Sequence, residues 1–84
     1  MTVNPGDAIL KMSFERDCWV EVRDSAGRIV FSQLNRAGSQ QAVAGRPPLT
    51  MTLGAARGVK LSYNGKPVDL SPYTKIDVAR LTLP

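Results

Sequence analysis

Turn-forming residues recur at short intervals along this chain, and that spacing most narrows what it can fold into. They stand at Asp24-Ser25-Ala26-Gly27, Ala37-Gly38, Gly45-Arg46-Pro47-Pro48, Gly54, Gly58, Asn64-Gly65 and Ser71-Pro72, each flanked by valine, isoleucine, threonine, tyrosine or phenylalanine. Short extended segments joined by tight turns are the pattern of an antiparallel sandwich or barrel. Between the turns the residues alternate. Leu10, Met12 and Phe14 oppose Lys11, Ser13 and Glu15, and Leu49, Met51 and Leu53 oppose Thr50 and Thr52. A period of two marks strands with one buried face.

The firmest local signal lies near the middle of the second half. Val59, Leu61 and Tyr63 alternate with Lys60 and Ser62, and Asn64-Gly65 then supplies the two left-handed positions of a type I′ turn before Lys66-Pro67-Val68-Asp69-Leu70. Pro67 has no N–H to donate, so the returning strand is either an edge or turns that position outward. Thr74 to Leu83 reads as a closing strand, with a short helix near Asp77 to Arg80 as the other option. The fold expected is all-β: a small antiparallel β-sandwich, immunoglobulin-like in appearance, of about seven to eight short strands.

With 84 residues, the chain has room for one modest core, removing roughly 60–65% of its unfolded surface from water. Residues 1–8 read as a flexible lead and 9–84 as a single domain, because no interior linker, repeat or charge block divides the sequence. No segment holds the ~18 consecutive apolar residues of a membrane span, and the start lacks a signal-peptide pattern.

The chemistry available is sparse. There is no histidine, and the single Cys18 has no second cysteine to pair with, so neither a zinc site nor an internal disulfide is expected, and no cofactor motif is present. The acids Asp17, Glu21 and Asp24 are read as solvated partners of nearby arginines rather than as an acid/base pair, and no enzyme is expected. Cys18 alternates with Val20 and Val22 and reads as an inert buried thiol. Gly54-Ala55-Ala56-Arg57-Gly58 reads as a loop whose glycines take unusual backbone angles. The net charge of +4 is spread over isolated lysines and arginines. The aromatics Phe14, Trp19, Phe31, Tyr63 and Tyr73 fall one per segment, not as the interleaved aromatic and basic set of single-strand binders, so no nucleic acid is expected as a partner.

Trp19 is the residue that poses a functional question. Alternation through Cys18-Trp19-Val20-Glu21-Val22-Arg23 sets it opposite the apolar row. If Asp24 to Gly27 forms a type I turn with a glycine bulge, Asp24 faces Arg28 and Arg23 faces Ile29. Plain alternation from there puts Trp19, Ile29 and Phe31 on one face and Cys18, Val20, Val22, Val30 and Leu34 on the other. Either the chain itself covers Trp19, or Trp19, Ile29 and Phe31 form a platform for a partner. A second possibility joins Trp19 to Tyr63 as stacking surfaces for sugar rings.

The run Asp17-Cys18-Trp19-Val20-Glu21-Val22-Arg23-Asp24-Ser25-Ala26-Gly27-Arg28 resembles a block of the RodZ C-terminal domain family. The resemblance continues in order through Ala37-Gly38, Gly45-Arg46-Pro47-Pro48-Leu49, Leu53-Gly54-Ala55-Ala56-Arg57-Gly58-Val59 and Tyr63-Asn64-Gly65-Lys66-Pro67-Val68-Asp69-Leu70. It implies a β-sandwich on the periplasmic side of the inner membrane, at the end of a single-span protein that maintains rod cell shape. The implied partners are wall-elongation membrane proteins and, as an alternative, peptidoglycan. The filament protein MreB would be reached only through a cytoplasmic domain absent from this sequence. The matched positions are turn and core residues, so they imply no binding site of their own; a passive folded spacer is the third reading.

Overall fold

The computed structural model describes residues 3–84. Among the described residues nine strands follow one another: β1 (Ala8–Phe14), β2 (Cys18–Arg23), β3 (Ile29–Asn35), β4 (Gln40–Gly45), β5 (Leu49–Gly54), β6 (Val59–Tyr63), β7 (Lys66–Val68), β8 (Thr74–Lys75) and β9 (Val78–Leu83). They build two antiparallel sheets, one in the order β4-β1-β6-β7 and the other β3-β2-β5-β9-β8. Single turns of 3-10 helix at Ala56–Gly58 and Ser71–Tyr73 precede β6 and β8. Among the described residues, no helix is long and apolar enough to cross a membrane.

The alternation visible in the sequence becomes the core. Leu10, Met12 and Phe14 of β1 face Cys18, Val20 and Val22 of β2, Leu49, Met51 and Leu53 of β5, and Ala79, Leu81 and Leu83 of β9, all buried. Each fully buried leucine or valine contributes about 1.5–3 kcal/mol through removal of its surface from water. Asn35 is the one buried polar side chain among the described residues. Its amide donates to the carbonyls of Cys18 and Gln33 at 3.3 and 3.2 Å, and its oxygen accepts from the Gln33 amide at 3.0 Å. Satisfied in this way, it avoids the cost of an unpaired buried group.

Asn64 and Gly65 have φ of 50° and 83°, and Tyr63 pairs with Lys66 across the two-residue turn. Pro67 lies in β7, the edge strand of its sheet. Thr74 to Leu83 is two strands instead of one: a tight turn at Ile76-Asp77 folds β8 back on β9, and Asp77 to Arg80 is not helical. Of the expected lead, Met1 lies outside the described residues with Thr2. Asn4 to Asp7 close a turn in which Asp7 N–H donates to the Asn4 carbonyl, and Ala8 is already buried and paired with Gly45.

Two expectations are corrected. In the loop between β5 and β6, the left-handed angle belongs to Ala55 (φ 61°), not to either glycine. Gly58 serves close approach instead, since a Cβ there would lie 3.0 Å from Arg16 Cβ. The second correction concerns β3. The Asp24 turn forms as expected, with Asp24 N–H donating to the Arg28 carbonyl and Gly27 at φ 79°, and Arg23 faces Ile29. A bulge then intervenes, so that Val22 faces Phe31 and Val30 is the extra residue. One inserted residue moves every later side chain to the other face. Phe31 therefore packs against the core, while Val30 and Leu34 are exposed.

Candidate docking surface

The bulge decides what stands beside Trp19. Directly paired residues of an antiparallel ladder project from the same face. Trp19 pairs with Leu34, so both point away from the core, each 49% exposed. On the other side of Trp19 lies Gly54, where a Cβ would be 3.7 Å from Trp19 Cβ; Gly54 pairs with Val78, and Val78 with Lys75. The outer face of the five-stranded sheet thus carries one crosswise row, Leu34, Trp19, Gly54, Val78 and Lys75. Its three large apolar members are all substantially open to water, and Gly54 leaves a dip between Trp19 and Val78.

The neighbouring row is polar: Ser32, Glu21, Thr52 and Arg80 pair across β3, β2, β5 and β9. Beyond it, Ile29 stands beside Arg23, whose guanidinium meets the Glu21 carboxylate at 3.4 Å. Ile29 shares the face of Trp19 yet lies about 13 Å along the strand from it, four residues at strand rise. Among the described residues, neither Lys75 nor Arg80 joins an ion pair.

Ile76 lies in the turn just beyond Lys75, at the β8 end of this row. It is 89% exposed at φ 60°, a backbone region that β-branched residues rarely enter. Asp77 holds it there. The Asp77 carbonyl accepts the Ala56 N–H at 2.7 Å, Oδ1 accepts the Arg57 N–H at 3.1 Å, and Oδ2 meets the Arg16 guanidinium at 3.0 Å. The Arg57 N–H bond, with Arg16 beside it, holds the Asp77 carboxyl below its ordinary value. A strained residue persists where several contacts fix its surroundings, and this latch supplies them.

The remaining candidate residues lie elsewhere. Phe31 is on the inner face, as described. Tyr63 pairs with the fully buried Leu10 in the other sheet, packs against the core and donates its hydroxyl to the Pro84 carbonyl. Trp19 and Tyr63 therefore form no common stacking surface. A cleft of about 1140 Å³ runs along β1 and β6 past Lys11, Ser13, Lys60, Ser62 and Asp69, and no aromatic side chain lines it. Cys18 is buried and donates to the Gly54 carbonyl. Burial, with a smaller contribution from the Asp77 carboxylate, pushes its thiol up to about 11, so it stays protonated at neutral pH. Asp17 accepts the Ala37 N–H and so ties the β1–β2 loop to the β3–β4 turn, while Asp24 accepts the N–H groups of Ala26 and Arg28 and closes its own turn.

Sequence alternation did put Trp19 and Ile29 on one sheet face. It missed Leu34, Val78 and Ile76, because a bulge and a tight turn between isoleucine and aspartate leave no clear mark in composition. The RodZ C-terminal domain family model matches residues 11–82. No solved structure matches the chain.

Proposed function

The chain belongs to the RodZ C-terminal domain family, and from that membership we propose that it is a non-enzymatic docking domain of a RodZ-like cell-shape protein. In this reading it lies in the periplasm, at the end of a single-span inner-membrane protein that couples the MreB filament to peptidoglycan elongation. The domain's share of that work is to bind a wall-elongation membrane protein. The observation that carries the reading is the uncovered row of Leu34, Trp19 and Val78 with Ile76 at its end. An exposed row of this kind, with Lys75, Arg80 and the Glu21–Arg23 pair beside the apolar side chains, has the composition of an interface: apolar and aromatic centre, charged surroundings.

Trp19→Ala in the full-length parent tests this. Recruitment of the elongation proteins should fall while the membrane level of the parent is kept and the isolated domain, less stable by about 1–2 kcal/mol, still melts cooperatively. Unchanged recruitment and cell shape would favour a folded spacer. The glycan alternative is separated by titrating soluble peptidoglycan fragments into the domain and following Trp19 fluorescence under acrylamide quenching. A protein-docking face gives a quenchable ring and no saturable change; a saturable shift with loss of quenching would place sugar at Trp19.

A further inference from the structure

The sandwich has four strand edges, and two are blunted. β7 is three residues long and contains Pro67, and β8 is two residues long and ends in Lys75. Short edges, proline and lysine are the usual means of preventing a sheet from adding another strand. Neither β4 nor β3 has them, but β4 offers a partner no exposed large apolar side chain, which singles out β3. Its seven residues, Ile29-Val30-Phe31-Ser32-Gln33-Leu34-Asn35, include no charge and no proline, and Ile29, Val30 and Leu34 are exposed. Its backbone pairs with β2 alone. Among the described residues, the only other bond to the main chain of β3 is the Asn35 amide on the Gln33 carbonyl. The bulge at Val30 twists the start of the strand and leaves Phe31 to Asn35 as a regular edge, about 17 Å of unpaired ladder.

We propose that this edge takes up an extended segment of the partner as a sixth strand, a segment of about five to seven residues with an uncharged, alternating centre and an acidic residue towards each end. The inference rests on the docking reading and specifies how the partner binds. The alternation follows from geometry, because an added strand would set every second side chain beside Leu34 and so lengthen the apolar row through Trp19. The acidic ends follow from charge: β3 is bracketed by Arg28, which has no salt bridge among the described residues, and by Arg36, whose side chain is 79% exposed and meets Asp17 only at 3.5 Å. The same arginines disfavour a second copy as the occupant. Antiparallel pairing of two β3 strands would bring the bracketing arginines of the two copies near one another, on chains that each carry a net charge of +4.

A displayed library of random 12-residue peptides, selected on the whole chain, is the probe. Ser32→Lys and Leu34→Lys put a charge on the edge at exposed positions, and circular dichroism and thermal melting establish that each variant is folded. Selected peptides should alternate apolar and polar residues with acids near both ends, bind the lysine variants at least about 10-fold more weakly, and slow amide exchange at Phe31 to Asn35. Peptides with helical apolar spacing, or peptides whose binding is lost in Trp19→Ala but kept in both lysine variants, would overturn the strand-addition mode and leave the docking face standing. Concentration-dependent dimerisation abolished by Leu34→Lys would overturn it in favour of a second copy. Failure to enrich any peptide would overturn it as well, while recruitment in cells judges the docking reading separately.

Discussion

Phe31 and Leu34, each replaced by alanine, report which way β3 faces. With the bulge in place, Phe31 pairs with the fully buried Val22 and packs on the core, whereas Leu34 pairs with half-exposed Trp19. Full burial of a leucine is worth about 1.5–3 kcal/mol, so trimming a side chain that is half open should cost about 1 kcal/mol. Phe→Ala at a buried site costs about 3–5 kcal/mol, and the partial exposure of Phe31 lowers this to about 2–4 kcal/mol. The expected gap of about 2 kcal/mol corresponds to roughly 10 °C in melting temperature for a domain of this size. Urea unfolding followed by circular dichroism measures it, with an unchanged m-value showing that the unfolded state is the same in both variants. A Leu34→Ala variant as unstable as Phe31→Ala, or more so, would refute the bulged register and with it the apolar row.

Further outcomes follow from the same geometry. Ile76→Asn should raise stability by about 1 kcal/mol, because asparagine accepts the left-handed region and isoleucine does not; in the parent protein it should also weaken partner recruitment, since it removes an apolar side chain from the row. Asp77→Asn should lower the melting temperature at pH 7. The folded Asp77 carboxyl titrates below its ordinary 3.8, so its stabilisation is complete above the ordinary carboxylate range and is lost as pH falls through the depressed folded value; the difference between the two proteins should shrink over that acidic window in thermal melts. Cys18, pushed up to about 11 and buried, should react with iodoacetamide at pH 8 at least about 100-fold more slowly than a free thiol, and denaturant should remove the difference.

What could be read from the sequence divides along physical lines. Turns closed by their own residues were legible: Asn64-Gly65 carries its conformation in its composition, and Asp24 to Gly27 likewise. Core membership was legible wherever alternation ran unbroken, as along Leu10 to Phe14 and Leu49 to Leu53. The faces of β3 were not, because a bulge is one residue of slippage, and Val30 is as suitable for a regular strand as for a bulge. The left-handed Ala55 and Ile76 were invisible for a different reason. Neither residue favours that conformation, and tertiary contacts impose it, chiefly the bonds from Asp77 to Ala56, Arg57 and Arg16. The apolar row consequently emerged from strand pairing: Trp19 and Leu34 meet across one bulged hairpin, and Val78 comes from a strand distant in sequence.

Site-specific photo-crosslinking in living cells tests the docking surface most directly. A photoreactive amino acid placed at position 19, 34 or 78 lies on the outer face of the five-stranded sheet, and one at position 11 or 62 on the outer face of the four-stranded sheet. The account predicts adducts with a wall-elongation membrane protein from the first three positions and none from the other two. Adducts from positions 11 and 62 alone, or none from any position despite normal protein levels, would contradict it.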